Sequence, residues 1–227
     1  MNSEEEKEFN QFMIKNYERV FLPFVDEIIE ETKISSGTIV DFGCGIGLLA
    51  KAFAEKNKRI HVIGIDSSFG MLREASKICR NFKNIEFVRT DVGNVDLERG
   101  IADIVVCKDS FHEFTNPQKA LSEMLRIVKP SGWFFLQDLR RDMPLRYLRM
   151  ALPRKTIFQR LQYYSARASY TKGEVKKLVS NMKVRKFSII THNVTSKVRK
   201  GYLHIDPRDL RVGFQTRYVA KLRPEKH

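Results

Sequence analysis

The chain reads as an α/β protein built around a parallel sheet, and three features point there. Short apolar runs rich in β-branched and aromatic residues alternate with segments of helical spacing. A glycine-rich turn, Gly43-Cys44-Gly45-Ile46-Gly47, follows the first run, and an acid, Asp66, closes the second. Strand–helix alternation at this spacing describes βαβ units whose strands are covered on both faces, which is why the runs are continuously apolar and not alternating.

The runs lie at residues 38–40, 60–65, 85–88, 101–107 and 133–136. Between them, Leu48, Leu49, Ala50, Ala52, Phe53 and Ala54 fit one helix, and Met71, Leu72, Ala75 and Ile78 another. Ala120, Leu121, Met124, Leu125, Ile127 and Val128 fit a third, stopped by Pro130 and Gly132. Residues 9–29 predict a helix or helix pair laid over the sheet. After Asp138 the pattern changes. Leu145, Leu148 and Leu152, then Pro153, then Ile157, Phe158, Leu161 and Tyr164 predict two short amphipathic helices broken at the proline. Thr171 with Glu174 three residues on is a capping box for a helix through Ser180. Residues 184–194 and 213–222 predict two last strands, joined by a basic long loop or hairpin over 196–211. The expected layout is a single domain: an N-terminal helical cover (1–36), a core (37–138), a basic helical lid (139–170), and a C-terminal helix with strands (171–227).

The 227 residues, 42% hydrophobic and 30% charged, are ordinary globular material able to bury a core. No apolar run approaches bilayer length, so integral membrane association is not expected. The acidic start at residues 1–8 is not a secretory signal pattern. Cys44, Cys79 and Cys107 are odd in number and far apart, which fits neither a disulfide framework nor a zinc site and suits a reducing cytoplasm. The net charge of +14 is unevenly spread. Residues 1–138 carry 18 Lys and Arg against 22 Asp and Glu; residues 139–227 carry 23 against 5. A basic third beside an acidic remainder sets up a directional field for an anionic partner, or else a solvated face that serves solubility.

The glycine turn has a physical reason: the chain must leave the sheet sharply, with its backbone open to a ligand that side chains would block. A dinucleotide fingerprint would need glycine at 48, where Leu48 stands. Asp66, in Gly64-Ile65-Asp66-Ser67-Ser68, is placed to accept from both hydroxyls of a ribose; alone it would be a helix cap. Asp91, in Thr90-Asp91-Val92, is placed to accept from an exocyclic amine or to cap its loop.

On these residues the chain resembles the class I S-adenosylmethionine-dependent methyltransferases, especially the broad type 11 group with quinone and sterol methyltransferases. The resemblance runs from about residue 39 to 142. Besides the three motifs above it covers Cys107-Lys108-Asp109-Ser110-Phe111-His112-Glu113-Phe114 and Leu125-Arg126-Ile127-Val128-Lys129-Pro130-Ser131-Gly132-Trp133, where Ser131 replaces the family's usual glycine. It implies a Rossmann-like seven-stranded mixed sheet, order 3-2-1-4-5-7-6, flanked by helices, with a helical lid inserted after strand five. It implies S-adenosylmethionine as cofactor. Gly43, Gly45 and Gly47 would face the methionine part, Asp66 the ribose and Asp91 the adenine, with Asp41, Ser67 and Val92 also among the cofactor-binding residues. Met71 would pack on the adenine or in the core, Lys108 would close the strand-four side, and Tyr17 would cover the cofactor or simply pack.

A sulfonium methyl is already activated, so in-line positioning and exclusion of water are the main needs. His112 is the candidate catalytic base, its alternatives being to cap the loop or to order Glu113. Asp109 and Asp138 lack a third ligand, so no metal is expected. The Asn/Asp-Pro-Pro-aromatic run of base-amine methyltransferases is absent; Lys108-Asp109-Ser110-Phe111 stands there. Cys107 follows Val106 and not a proline, which excludes the cytosine C5 pattern. The favoured reading is therefore transfer to a small, anionic acceptor held by Arg140, Arg146 and Arg149. The alternatives are an RNA methyltransferase using the basic third on phosphates, and a non-catalytic cofactor-binding protein; monomer and homodimer stay equally open.

Overall fold

A computed structural model describes residues 3–182, 184–191 and 217–224. Seven strands form one sheet in the order β3-β2-β1-β4-β5-β7-β6. They are β1 (Gly37–Phe42), β2 (Ile60–Asp66), β3 (Ile85–Arg89), β4 (Ala102–Lys108), β5 (Val128–Leu139), β6 (Val184–Thr191) and β7 (Arg217–Pro224). The first five run parallel, and β7 lies antiparallel between β5 and β6. The fold is thus the α/β Rossmann-like architecture expected. The basic loop or hairpin expected at 196–211, and parts of both final strands as expected, lie outside the described residues.

Period-two alternation in the strands divides the core between the two faces. Ile39, Val62, Val106 and Phe135 point to one face. They pack there with α2 (Tyr17–Thr32) through Phe24 and Ile28, and with α3 (Leu48–Lys56) through Leu49 and Phe53. Val40, Ile63, Val105 and Phe134 point to the other. There they meet α5 (Pro117–Ile127) through Leu121 and Met124, and α8 (Lys172–Ser180) through Val175 and Val179. A third, smaller cluster joins Leu139 and Met143 to Leu148, Tyr163 and Ala166, and so holds α6 (Leu145–Ala151) and α7 (Ile157–Ala168) together.

Helix starts follow from the capping residues. Ser68 accepts from the Met71 N–H to open α4 (Phe69–Ile78), and Asn116 accepts from Lys119 ahead of Pro117. Thr156 with Gln159 and Thr171 with Glu174 close reciprocal boxes at α7 and α8. One boundary differs from the sequence reading. Pro130 and Gly132 do not separate a helix from a strand starting at 133; β5 begins at Val128, directly after α5. The turn survives as a bulge, because Ala102 faces Val128 while Ile104 faces Trp133. Gly132 is needed there, since a Cβ would lie 2.7 Å from the Asp103 carbonyl oxygen.

The N-terminal segment is two helices, α1 (Ser3–Lys15) and α2. Phe12 of α1 stacks on Phe158 of α7 with ring centroids 3.6 Å apart. Near the other end of α1, the Glu6 carboxylate approaches Gly70 at the start of α4. The helix therefore bridges α4 and α7. Among the described residues no helix is long and apolar enough to cross a membrane.

Candidate active site

Open parallel sheets place ligands beyond the carboxyl ends of their strands, and the polar residues of this chain gather there. Asp66, at the end of β2, connects two elements. One oxygen accepts from the Gly45 N–H at 2.9 Å and the other from the Ser68 N–H at 2.9 Å. The carboxylate thus ties the glycine turn to the start of α4.

Two of the glycines serve different ends. Gly43 allows close approach: a Cβ there would lie 2.6 Å from the Ser110 hydroxyl, which itself donates to the Phe42 carbonyl. Gly45 has φ +53°, and a Cβ built on it meets nothing within 4 Å, so its backbone borders open space. Gly47 opens α3 with no side-chain cap on the helix N-terminus.

Below the turn, Asp41 is 1% exposed and its Oδ2 has no hydrogen-bond partner among the described residues. Burial, then the charge of Asp66, raises its carboxyl to about 8, while Lys108 acts in the opposite direction. The Lys108 side chain is 3% exposed, pairs with Asp109, and lies 5.5 Å from the Phe21 ring of α2. Its neighbour across β4 and β5 is Gln137, 1% exposed, with neither amide atom hydrogen-bonded among the described residues. Gln137 carries no sequence signal, because a lone glutamine in an apolar strand reveals nothing about its neighbours.

A single 3₁₀ turn, Phe111–Glu113, follows β4. It brings His112 onto Asp138 at the end of β5. The ring Nδ1 lies 2.9 and 3.0 Å from the two carboxylate oxygens, and the His112 backbone N–H donates to Oδ2 at 2.9 Å. The Leu139 N–H donates to Oδ1. Burial depresses the His112 pKa, but the hydrogen bond and charge of Asp138, with Glu113 and Asp109, outweigh it and raise it overall. The two acids weighed as a metal pair have different partners, Asp109 the Lys108 ammonium and Asp138 the His112 ring.

Elsewhere Asp91 is exposed and its Oδ1 accepts from the Gly93 N–H, the loop-capping geometry. Val92 is half-buried beside the α5 face, and Met71 half-buried on the α3 face. Ser67 is exposed, its carbonyl accepting from Arg89. Tyr17 is turned toward α3: its hydroxyl donates to Glu55 and Lys51 lies 4.0 Å above its ring, the packing alternative. Arg140 leaves β5 half-buried and paired with Asp142, whereas Arg146 and Arg149 are exposed on α6.

Comparison with known proteins agrees with this geometry. Residues 40–136 match the family described as a methyltransferase domain. A ubiquinone biosynthesis O-methyltransferase of Nitrosomonas europaea is 30% identical over 129 residues, 56% of this chain and 53% of that protein. A ubiquinone/menaquinone biosynthesis C-methyltransferase of Campylobacter jejuni is 31% identical over 99 residues, 41% of each. An uncharacterised chloroplastic methyltransferase of Arabidopsis thaliana is 33% identical over 104 residues, 43% of this chain and 30% of that one. The chain thus spans about half the length, or less, of these relatives. Among solved structures, a methyltransferase of Methanococcus maripaludis superposes with TM-score 0.72 at 16% identity, over 98% of this chain and 93% of that one. The plantazolicin methyltransferase, in complex with a desmethyl analogue and SAH, superposes with TM-score 0.69 at 21% identity, over 95% and 91%. By sequence, residues 40–136 match a methyltransferase domain, and by fold nearly the whole chain superposes on methyltransferase structures.

Proposed function

We propose that the protein transfers a methyl group from S-adenosylmethionine to a small, anionic acceptor by in-line displacement. The observation that carries this reading is the open backbone at Gly45, held by the Asp66 carboxylate, together with a buried Asp41 oxygen that has no hydrogen-bond partner among the described residues. Those residues fit the cofactor: a ribose needs a paired acceptor, and a methionine ammonium needs a buried acid. Asp66 and Ser67 hold the ribose hydroxyls, Asp91, Val92 and Met71 border the adenine, and Gly43, Gly45 and Gly47 line the methionine part. Asp41 receives the ammonium and Lys108 closes the β4 side. Bound there, the cofactor supplies an activated methyl on a sulfonium. The chain's own work is orientation and exclusion of water. The cover helix α1 and the helices α6 and α7 form the lid over that site, joined to each other by the Phe12–Phe158 stack.

Calorimetry with SAH tests the cofactor assignment. Asp41 is protonated below about 8 in the free protein. An ammonium seated beside it stabilises the carboxylate and lowers that pKa. Binding at pH 7 therefore releases a proton, so the binding enthalpy there depends on buffer identity. Asp41→Asn removes the dependence. Absence of SAH binding retires the cofactor assignment, and a buffer-independent enthalpy at pH 7 retires the role given to Asp41.

The basic C-terminal third also supports the second reading, RNA. Neutralising 6–10 phosphates would make affinity fall by about 10³–10⁵ between 50 and 200 mM salt. A small anion held by one or two arginines has no such slope. We expect weak RNA binding that is unchanged when Arg146, Arg149, Arg154 and Lys155 are replaced together by Ala. Steep, variant-sensitive binding with methyl transfer to RNA would reverse the preference.

A further inference from the structure

We infer that His112 and Asp138 form a proton-accepting couple, and that the acceptor is accordingly an ionisable hydroxyl, a phenol or enol, which gives its proton to His112 Nε2 as its oxygen is methylated. The inference rests on the methyltransferase reading and adds the substrate class and two residue roles.

The tautomer follows from the geometry. Asp138 is 0% exposed and accepts from two backbone N–H groups, those of His112 and Leu139. A carboxylate only accepts, so the Nδ1 lying 2.9 Å from it carries the hydrogen. The neutral ring then has its lone pair on Nε2. That nitrogen is buried and has no hydrogen-bond partner among the described residues; the His112 side chain is 5% exposed and the Glu113 carboxylate stands 3.7 Å away. Leaving a buried polar atom unpaired is destabilising, and a residue serving only as a loop cap has no reason to bear it. A base awaiting a proton does.

Position agrees. Ser110, two residues before His112, rests against Gly43 of the glycine turn, so the 3₁₀ turn is anchored to the cofactor side of the site. Charge agrees as well. When Nε2 takes the proton, the imidazolium is balanced in place by Asp138, with Asp109 and Glu113 close enough to support it. Beyond Asp138, Tyr170, Arg141 and Glu174 approach from the α8 side and add a neutral hydroxyl and an internally paired ion pair.

The chemistry selects the acceptor. The O–H bond breaks with its electron pair left on oxygen and its proton on Nε2. That oxygen forms the new O–CH3 bond as the C–S bond breaks, its pair passing to sulfur to give the neutral thioether. The imidazolium proton leaves to solvent with the product. Imidazole is best matched to a phenol or enol, whose ionisation raises its nucleophilicity and whose acidity lies nearest its own, whereas a neutral amine already offers its lone pair. His112 is the catalytic residue and Asp138 its positioning residue.

The test has two arms on the full chain with SAH or S-adenosylmethionine bound. In ¹⁵N ring spectra, the signal that His112→Gln deletes should report neutral imidazole with hydrogen on Nδ1, and a pKa above the ordinary 6.5 that Asp138→Asn lowers. A neutral Nε2–H tautomer overturns the couple. In the kinetic arm, 3,4-dihydroxybenzoate and 3,4-diaminobenzoate are offered as matched anionic probes. We expect methylation of the hydroxyl probe, with kcat rising through the His112 pKa. His112→Gln should lower kcat by about 10²–10⁴-fold with SAH affinity unchanged. Asp138→Asn should move the rising limb to lower pH. Methylation of the diamine alone, of neither probe, or an undiminished kcat in His112→Gln overturns the inference. SAH binding separates these outcomes from failure of the methyltransferase reading itself.

Discussion

Replacing Asp66 by Ala is expected to weaken SAH binding by roughly 1.5–3 kcal/mol, on the order of 10- to 100-fold, the size of a charged hydrogen bond. The effect should lie in the upper part of that range, because Asp66 has two tasks. Its oxygens hold the Gly45 and Ser68 N–H groups, so its loss removes the proposed ribose acceptor and also frees the turn proposed to border the methionine. Asp66→Asn separates the two. An amide oxygen still accepts one of the backbone N–H groups, while the charge and the second acceptor are gone. Calorimetry on both variants, with thermal unfolding as a control, checks the ordering: wild type tightest, Asn intermediate, Ala weakest. Wild-type affinity in Asp66→Ala would remove the ribose role altogether.

Phe111→Ala is expected to be the most destabilising single truncation near the site, by about 3–5 kcal/mol. Phe111 is 0% exposed, lies in the core face shared with α5 and α8, and contacts the rings of Phe114 at 5.7 Å and Tyr170 at 5.1 Å. Its removal leaves a cavity between the 3₁₀ turn and the approach to α8. A domain of this size has only about 5–15 kcal/mol to lose, so the melting temperature should fall on the order of 10 °C. The cavity also loosens the turn that carries His112. Phe111→Leu, which keeps most of the volume, should lose far less. Chemical denaturation of the three proteins measures this; a loss under about 1 kcal/mol for Ala would mean the site collapses freely and the ring is no anchor.

Much of this site is legible in the residues themselves. The glycine turn, Asp66 after the second strand and His112 after the fourth stand at strand ends, and strand ends follow from apolar periodicity and local turn chemistry. The capping boxes at Thr156 and Thr171 are equally local, each completed within three residues. The roles of Asp138, Ser110 and Gln137 are of another kind. Asp138 read as half of a weak metal pair, because its partner His112 lies 26 residues away and nothing in either segment announces the other. Ser110 meets the strand-one end from 68 residues away.

Local order along the chain determined by itself which segments became strands and helices, where the backbone had to be glycine, and which acids stood at the edge of the sheet. Tertiary structure alone decided which of those polar groups face each other. The start of β5 shows why: Val128 joins the sheet because Ala102 lies beside it, and the three-residue bulge that follows sets the register opposite β4. That register places Gln137 beside Lys108 and carries Asp138 to the level of the 3₁₀ turn. Pairing across strands is a long-range contact whose free energy depends on the whole packed sheet, so it cannot be read from the few residues that make it.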